Sequence, residues 1–221
     1  MSKKIAIDVV SDVVCPWCYI GKKRLEAALS KLPDIEAEIR WRPFQLDATI
    51  PAEGKDRRAY MLAKFGSEER IRQIHANILP LGQAEGINFD FDAIEVAPNT
   101  MDAHRLIRWA QNAGEGVQSR LVGGLFADYF ERGLNIGDRE TLLDAAVRAG
   151  MEASIAEPLL ASGADVDAVQ EEIATAARMG VTGVPCFMLE GKYAIMGAQN
   201  ADTLAQAIRQ VADESAGGGT S

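Results

Sequence analysis

A chain of 221 residues is long enough for one large domain or two small ones, and it can bury a core without disulfides for stability. Its net charge of -9, from 32 acidic and 23 basic residues, argues against a nucleic-acid partner, because the phosphate backbone would be repelled. The three cysteines are too few and too uneven in number for a disulfide framework.

The N-terminal segment offers only three apolar positions before Asp8, which is far short of the apolar core of a signal peptide. No later apolar run approaches the length of a membrane span. We therefore expect a soluble, cytoplasmic protein without a membrane partner. Thiols stay reduced in that compartment, so a closely spaced cysteine pair favours catalysis or metal binding over a structural disulfide.

The first predicted elements form a strand-helix-strand unit. Residues 4–10 are rich in β-branched side chains and predict a buried strand. Pro16 suits the first turn of a helix, and an apolar stripe continues from there to Leu32. Residues 35–41 alternate apolar and charged side chains, as a half-buried strand does. Two strands joined by a helix normally pair in parallel through a right-handed crossover.

The middle of the chain is predicted to be helical. Apolar periodicity and N-capping residues indicate seven helices, at residues 57–65, 68–79, 99–113, 116–131, 138–149, 154–161 and 165–179. Pro80 is expected to end or kink the second of them.

Strand character returns near the C-terminus. Residues 185–190 and 193–196 predict a hairpin around Gly191 and Lys192, and residues 201–212 predict a last helix. The two ends of the chain therefore share one sheet. We divide the sequence into an α/β domain whose parts are residues 1–45 and 181–213, a helical insertion at 46–180, and a disordered tail at 214–221.

Cys15 and Cys18 stand one helical turn apart, directly after the first strand. Such a pair is typical of a redox-active site or of a metal-binding site. Cys15 would occupy the helix N-cap, where free backbone N–H groups and the helix dipole stabilise a thiolate, while Cys18 would be more enclosed. We expect Cys15 to attack a substrate disulfide and Cys18 to resolve the mixed disulfide. Trp17, between them, would offer apolar contact to a substrate.

Two residues outside the pair are candidates for the same chemistry. Asp8, in the predicted strand beneath the helix, is either the acceptor of the Cys18 proton or a group that hydrogen-bonds nearby backbone. A cis bond between Val184 and Pro185 would expose the Val184 backbone to an extended substrate beside Cys15. Taken alone, however, a proline at the start of a strand is more often trans.

The remaining cysteine and the two histidines receive more ordinary interpretations. Cys186 is either a buried thiol that acts as a small hydrophobe or a third redox-active thiol beside the active pair. His75 is expected at the surface and His104 in the core or between domains.

Residues 9–18 (VVSDVVCPWC), together with the distant Gly-Val-Pro at 183–185, resemble the DsbA-like thioredoxin-fold family. Residues 41–46 (WRPFQL), 99–106 (NTMDAHRL) and 197–199 (GAQ) resemble its FrnE branch. The resemblance implies a thioredoxin fold interrupted by a helical domain, dithiol-disulfide exchange through Cys15 and Cys18, and a cis proline at Pro185. In DsbA itself a buried acid stands six residues before the first cysteine, whereas Asp8 stands seven before Cys15.

The function predicted from these features is a thiol-disulfide oxidoreductase or isomerase. Its partners would be protein or small-molecule thiols and disulfides, with glutathione among the candidates, and it would need no cofactor beyond a Cys15-Cys18 disulfide. One alternative is a glutathione-dependent isomerase or transferase similar to 2-hydroxychromene-2-carboxylate isomerase and kappa-class glutathione transferases, which usually carry serine at the position of Cys15. The other is a non-enzymatic metal-binding module, although a zinc site needs four ligands and the chain has a single CxxC pair.

Overall fold

The computed structural model describes residues 3–217. In chain order its elements are β1 (Lys3–Ser11), α1 (Pro16–Ser30), β2 (Ile35–Pro43), β3 (Lys55–Asp56), α2 (Arg57–Phe65), α3 (Glu68–Ala84), β4 (Val96–Ala97), α4 (Met101–Ala110), α5 (Val117–Phe130), α6 (Arg139–Ala149), α7 (Ala153–Ala161), α8 (Val166–Arg178), β5 (Cys186–Leu189), β6 (Tyr193–Met196) and α9 (Ala201–Gly217).

The two ends of the chain build one sheet of four strands in the order β2-β1-β5-β6. β1 and β2 are parallel, as the sequence predicts for strands joined through α1, and β5 is antiparallel to both β1 and β6. The predicted hairpin turns at Glu190 and Gly191, which both have positive φ. This is the thioredoxin fold, and a large helical insertion separates β2 from β5 as predicted.

Side chains of β1 alternate between the two faces of the sheet. Ile7 and Val9 belong to the large hydrophobic cluster that contains the inner sides of α1 and α9. Val10 points the other way, into a smaller cluster with Cys186 of β5 and Ala176 of α8. Because successive strand residues face opposite sides, α1 and α9 cover one face and α8 covers the other.

The helical insertion is bonded to the free edge of β2 through a glutamine. The side-chain oxygen of Gln118, on α5, accepts a hydrogen bond from the Trp41 N–H at 3.0 Å, and its amide nitrogen donates to the Ile107 carbonyl at 3.1 Å. The Trp41 indole N–H donates to the Ser119 hydroxyl at 3.0 Å. A buried edge group without a partner would cost free energy, so these bonds hold the insertion against the sheet.

Three features differ from the sequence expectations. α3 continues through Pro80 to Ala84. Pro80 has no N–H to donate to the Ala76 carbonyl, but both residues are exposed, so water can replace the missing hydrogen bond. α9 extends to Gly217, so residues 214–217 of the expected tail are helical, while 218–221 lie outside the described residues. β3 and β4 were not predicted, because two residues are too few to have a period.

None of the helices in the described part of the chain is both long and apolar enough to cross a membrane.

Arg105, on α4, fixes the segment between α7 and α8. Its guanidinium donates hydrogen bonds to the carbonyl oxygens of Leu159 at 2.7 Å, Ser162 at 2.8 Å and Ala164 at 2.6 Å. It also pairs with Asp102 at 2.6 Å, although only 2% of the Arg105 side chain is exposed. Four of the five guanidinium donors are therefore hydrogen-bonded and the buried charge is paired with a carboxylate, as a buried ion requires.

We expect Arg105→Met to lower the free energy of unfolding by roughly 2–5 kcal/mol, because three carbonyl groups lose their donor while the apolar volume is kept. Urea unfolding followed by circular dichroism measures the change. The matched control is Arg70→Met, at an exposed position on α3, which should change stability by less than about 0.5 kcal/mol. Equal small effects of both substitutions would contradict the structural role of Arg105.

Candidate active site

The thiol pair lies where β1 ends and α1 begins. Cys15 is the N-cap of α1, at the position the sequence predicts, and Pro16 opens the first turn. The Cys15 N–H donates to the Asp12 carbonyl at 3.0 Å, and the Cys18 N–H donates to the Cys15 carbonyl at 3.0 Å. Proline costs no hydrogen bond at the first helical position, so the turn into the helix forms readily. The reactive position thus sits at the positive end of the helix dipole.

Cys18 lies one turn behind Cys15 and is almost completely buried, with 1% exposure. Burial raises the pKa of the Cys18 thiol well above its usual value, and the neighbouring Cys15 thiol raises it further. The Ser11 hydroxyl and the Asp12 backbone act in the opposite direction. Both cysteines are free thiols. Cys18 must therefore lose a tightly held proton before it can attack a disulfide.

The Val184–Pro185 segment lies directly against Cys15. The peptide bond between these residues is cis. The Cys15 Sγ is 3.8 Å from the Val184 carbonyl oxygen, which makes a long thiol hydrogen bond. The two segments are 169 residues apart in sequence, and the pairing of β1 with β5, which puts Val10 opposite Cys186, brings them together.

Gly21 allows Pro185 to pack tightly on α1. A Cβ atom at this position would lie 2.9 Å from the Pro185 Cγ and 3.2 Å from the Phe187 Cζ. Real Cβ atoms essentially never approach so closely, and neither the proline ring nor the buried phenylalanine can move aside freely. The closeness of Pro185 to the helix that carries both cysteines therefore depends on a glycine at position 21.

A cavity of about 400 Å³ opens beside the thiol pair. Cys15, Trp17 and Val184 contribute to its wall, and the Trp17 side chain is 38% exposed. The opposite wall comes from the helical insertion, mainly α2 and α3. The indole ring and the Cys15 side chain therefore border the same space, and the substrate contact expected for Trp17 stays a prediction.

Asp8 does not lie beneath the cysteines. Its carboxylate pairs with Arg42 of β2 at 2.7 Å, and Arg42 also approaches Glu172 of α8 at 3.6 Å. Side chains along β1 alternate, and Asp8 shares the face of Val10 and α8, whereas α1 covers the other face. The structure therefore does not place Asp8 where it could accept the Cys18 proton, and its role is an ion pair across the strands.

Cys186 is buried on the same face as Asp8. It has 0% exposure and packs with Val10, Val181 and Met188. Burial raises the pKa of its thiol. These apolar surroundings, on the side of the sheet away from α1, favour the interpretation of Cys186 as a small buried hydrophobe over that of a third redox-active thiol.

A buried Asp12–His104 pair next to the cysteines did not stand out in the sequence. One Asp12 oxygen accepts the Leu46 N–H at 2.8 Å, and the other is 3.3 Å from the His104 Nε2. Their side chains are 1% and 2% exposed. His104 is thus in the core, as expected. The sequence did contain one signal for Asp12, because it is an acidic residue within the apolar segment that leads to Cys15. A carboxylate buried there without a partner would cost free energy, so a partner such as His104 could have been expected.

His75, expected at the surface, is partly buried, and its ring packs inward. Its ring stacks on Phe91 with centroids 4.1 Å apart, and its Nε2 is buried without a hydrogen-bond partner among the described residues. Burial lowers the pKa of His75. The sequence predicted only that it lies on α3, because Phe91 approaches from a loop whose path depends on tertiary packing.

Among residues 3–217 there is no group of three or more histidine, cysteine or acidic side chains close enough to hold a metal ion.

Comparison with known proteins places this geometry in a family. The family described as DSBA-like thioredoxin domain matches residues 6–209. The uncharacterised protein YwbO of Bacillus subtilis (strain 168) is 27% identical over 207 residues, which are 92% of this chain and 96% of that protein.

Solved structures agree with this assignment. A probable DsbA oxidoreductase from Streptomyces coelicolor has a TM-score of 0.86 and 32% identity, with 95% of this chain and 91% of the other covered. Two more distant structures share the fold at 18% identity. They are a 2-hydroxychromene-2-carboxylate isomerase, with a TM-score of 0.68 and coverage of 96% and 98%, and the cytosolic disulfide reductase DsbM of Pseudomonas aeruginosa with GSH, with a TM-score of 0.59 and coverage of 95% and 96%.

We expect Gly21→Ala to lower both thermal stability and the rate of disulfide exchange, because the added methyl group pushes Pro185 away from α1. The loss of stability should be about 1–3 kcal/mol, measured by thermal or urea unfolding. Gly124→Ala, within α5, is the matched control. A Cβ there meets nothing within 4 Å, so this change should be neutral or stabilising by up to about 1 kcal/mol. If both variants behaved alike, close packing at Gly21 would not matter.

The three thiols should differ in their reactivity with iodoacetamide in the reduced, folded protein. Cys15 borders the cavity, whereas burial keeps Cys18 and Cys186 protonated and shielded, so Cys15 should be alkylated at least about tenfold faster near pH 7.5. Peptide mapping by mass spectrometry after timed quenching measures each rate. Raising the pH to 9 should accelerate Cys18 much less than a free cysteine peptide. Equal rates at the three sites would refute the assignment.

Proposed function

We propose that this chain, which belongs to the DSBA-like thioredoxin domain family, is a dithiol-disulfide oxidoreductase whose active pair is Cys15 and Cys18. One observation carries the proposal. Cys15 sits at the N-terminus of α1, at a cavity and 3.8 Å from the Val184 carbonyl, with Cys18 buried one turn behind it. Cys15 is itself only 4% exposed, but it borders the cavity, which is the route by which a substrate disulfide would reach it, while Cys18 is enclosed as the resolving thiol.

In the reducing direction the Cys15 thiolate attacks one sulfur of a substrate disulfide. The substrate S–S bond breaks, a Cys15–substrate disulfide forms, and the departing thiolate takes a proton from solvent. Cys18 then loses its proton and attacks the Cys15 Sγ, which forms the Cys15–Cys18 disulfide and releases the second substrate thiolate. Two electrons pass from the dithiol to the substrate, and the reverse sequence oxidises a substrate dithiol.

Supporting residues act through position. Pro16 starts the helix that holds both sulfurs, and Trp17 offers an apolar surface beside them. The Val184 carbonyl, which the Cys15 thiol contacts in the free protein, is the backbone group nearest the sulfur for a bound substrate to pair with. Pro185 holds this backbone against α1 at Gly21.

The proposed partners are protein or low-molecular-weight thiols and disulfides, with glutathione among them, and the proposed location is the cytoplasm. The fold shared with the cytosolic reductase DsbM, which has a structure with GSH, supports both. The segments that resemble the FrnE branch also support an exchange function. The net charge of -9 supports the absence of a nucleic-acid partner, and the redox-active disulfide is proposed as the sole redox group.

A glutathione-dependent isomerase is the second candidate, because the fold is shared with 2-hydroxychromene-2-carboxylate isomerase. The resolving thiol at Cys18 favours disulfide exchange, since isomerisation through a glutathione adduct needs no second cysteine. The metal-binding alternative is weaker, because residues 3–217 offer the cysteine pair no cluster of further ligands.

Insulin reduction with glutathione as the electron donor tests the proposal. We expect Cys15→Ser to fall to the uncatalysed rate, since the nucleophile is lost, and Cys18→Ser to accumulate a mixed disulfide at Cys15, since nothing resolves it. Cys186→Ala is the matched control and should stay within about twofold of the wild type, because this thiol lies on the other face of the sheet. Full activity of Cys15→Ser would refute the mechanism, and one zinc per chain that is lost with both cysteines would favour the metal alternative.

The direction of electron flow follows from the reduction potential of the Cys15–Cys18 pair. Equilibration with glutathione buffers of known ratio measures it. A potential near about −270 mV would indicate a reductase and one near about −120 mV an oxidase.

A further inference from the structure

We infer that the cavity beside Cys15 binds a small molecule with an apolar body and one anionic group, and that Arg57 recognises the anionic group. The inference rests on the proposed function, because it names the class of disulfide or thiol that reaches Cys15. The occupant is a low-molecular-weight compound rather than a polypeptide segment.

The size and lining of the cavity fit a small molecule. Its volume of about 400 Å³ lies within the range of about 300–1,000 Å³ that is usual for small-molecule sites. Most of its wall is apolar and comes from Ile50, Met61, Phe65, Ile74, Ile78 and Phe91. The helical insertion supplies these side chains and covers the active site from one side, while α1 and residues 183–184 form the other side. An apolar or aromatic body would fill this space.

The wall also carries hydrogen-bond donors that the protein leaves unused. Arg57, at the start of α2, has its guanidinium 5.8 Å from the centre of the Tyr129 ring, and its Nη1 donates to the Tyr129 hydroxyl at 3.3 Å. No carboxylate in the described part of the chain forms an ion pair with it. A guanidinium has five donors, and since the bond to Tyr129 is the one side-chain hydrogen bond of Arg57 among residues 3–217, most of its donors have no acceptor in that part of the chain.

The acidic groups on the same wall are already engaged. Asp12 accepts the Leu46 N–H and lies beside His104, and Asp47 accepts both the N–H and the hydroxyl of Thr49. Lys64 is a second cation on the wall, and its ammonium donates to the Tyr60 hydroxyl at 3.1 Å. The hydrogen-bonding groups of the cavity wall that remain unused are therefore donors. A carboxylate, sulfonate or phosphate on the ligand would accept from them.

His75 contributes its ring rather than a hydrogen bond. It lines the cavity, and its ring is held by stacking on Phe91 with centroids 4.1 Å apart. Its Nε2 is buried without a partner among residues 3–217, so a ligand in the cavity does not reach this nitrogen. The ring therefore extends the aromatic wall, and the unused donors of Arg57 are left to bind the anionic group.

The reaction of such a compound follows the exchange already described. For a disulfide R–S–S–R′, Cys15 forms a bond to the sulfur of R while R′–S⁻ leaves and takes a proton from solvent. Cys18 then loses its proton to solvent and attacks the Cys15 Sγ, which forms the Cys15–Cys18 disulfide and releases R–S⁻, and R–S⁻ takes a proton from solvent. The two electrons of the dithiol end on the two product thiols.

Two aromatic disulfides separate recognition of charge from thiol reactivity. The anionic probe is 5,5′-dithiobis(2-nitrobenzoate), with a carboxylate on each ring, and the neutral probe is 4,4′-dithiodipyridine. Stopped-flow absorbance gives the rate constant of the reduced full-length protein with each. We expect Arg57→Gln to lower the ratio of the anionic to the neutral rate constant roughly tenfold, because a charge-assisted hydrogen bond is lost.

Arg58→Gln is the matched control, because Arg58 is the next residue, is exposed, pairs with Glu68 and does not line the cavity. Its ratio should equal that of the wild type. Arg57→Lys, which keeps the positive charge, should retain most of the wild-type ratio and guards against a folding defect in Arg57→Gln. An unchanged ratio in Arg57→Gln, or an equal fall in Arg58→Gln, overturns the inference. If the wild-type dithiol reacts with neither probe, the proposed function itself fails.

Discussion

The packing of Pro185 on α1 at Gly21 is the constraint on which the candidate active site depends. A side chain at position 21 would overlap the proline ring, with the Cβ only 2.9 Å from its Cγ. Because β5 begins at the next residue and pairs with β1, the same contact sets the position of Val184 relative to Cys15. α1, Pro185 and β5 are therefore closely packed against one another, and this packing fixes the position of the Cys15 sulfur.

The alternation of side chains along β1 divides the protein into two environments with different chemistry. One face holds α1, α9 and both active-site cysteines, and the other holds α8, Cys186 and the ion pair of Asp8 with Arg42. A shift of one residue in β1 would exchange these environments. The separation explains why Asp8, although close to the cysteines in sequence, is remote from their chemistry, and why Cys186 is isolated behind the sheet.

The helical insertion completes the site instead of merely extending the fold. Gln118 and Trp41 tie it to the edge strand, and the Asp12–His104 pair ties α4 to the turn that precedes Cys15. The same insertion carries α2 and α3, whose side chains line the cavity beside the thiol pair. One hydrophobic cluster runs from the sheet into the insertion, so both parts of the chain share a core. The walls of the cavity therefore come from both parts of the chain.

Local patterns in the sequence determined the elements and the reactive pair. The period of two in β1 and β2, the period of 3.6 in the helices, and Pro16 directly after Cys15 depend on neighbours within a few residues, so they can be read without the fold. The predicted ends of two helices were too early. α3 continues past Pro80, where solvent can replace the lost hydrogen bond, and α9 continues to Gly217.

The tertiary structure alone decided which residues meet. It put Asp8 on the face of the sheet away from α1, brought His104 to Asp12, stacked His75 on Phe91 in the cavity wall, and placed Arg57 on the same wall. These outcomes depend on strand register and on how helices far apart in sequence pack, and no local pattern encodes either. The position of the thiol pair at the start of a helix was therefore predictable from the sequence, while the residues that surround the pair depend on long-range packing.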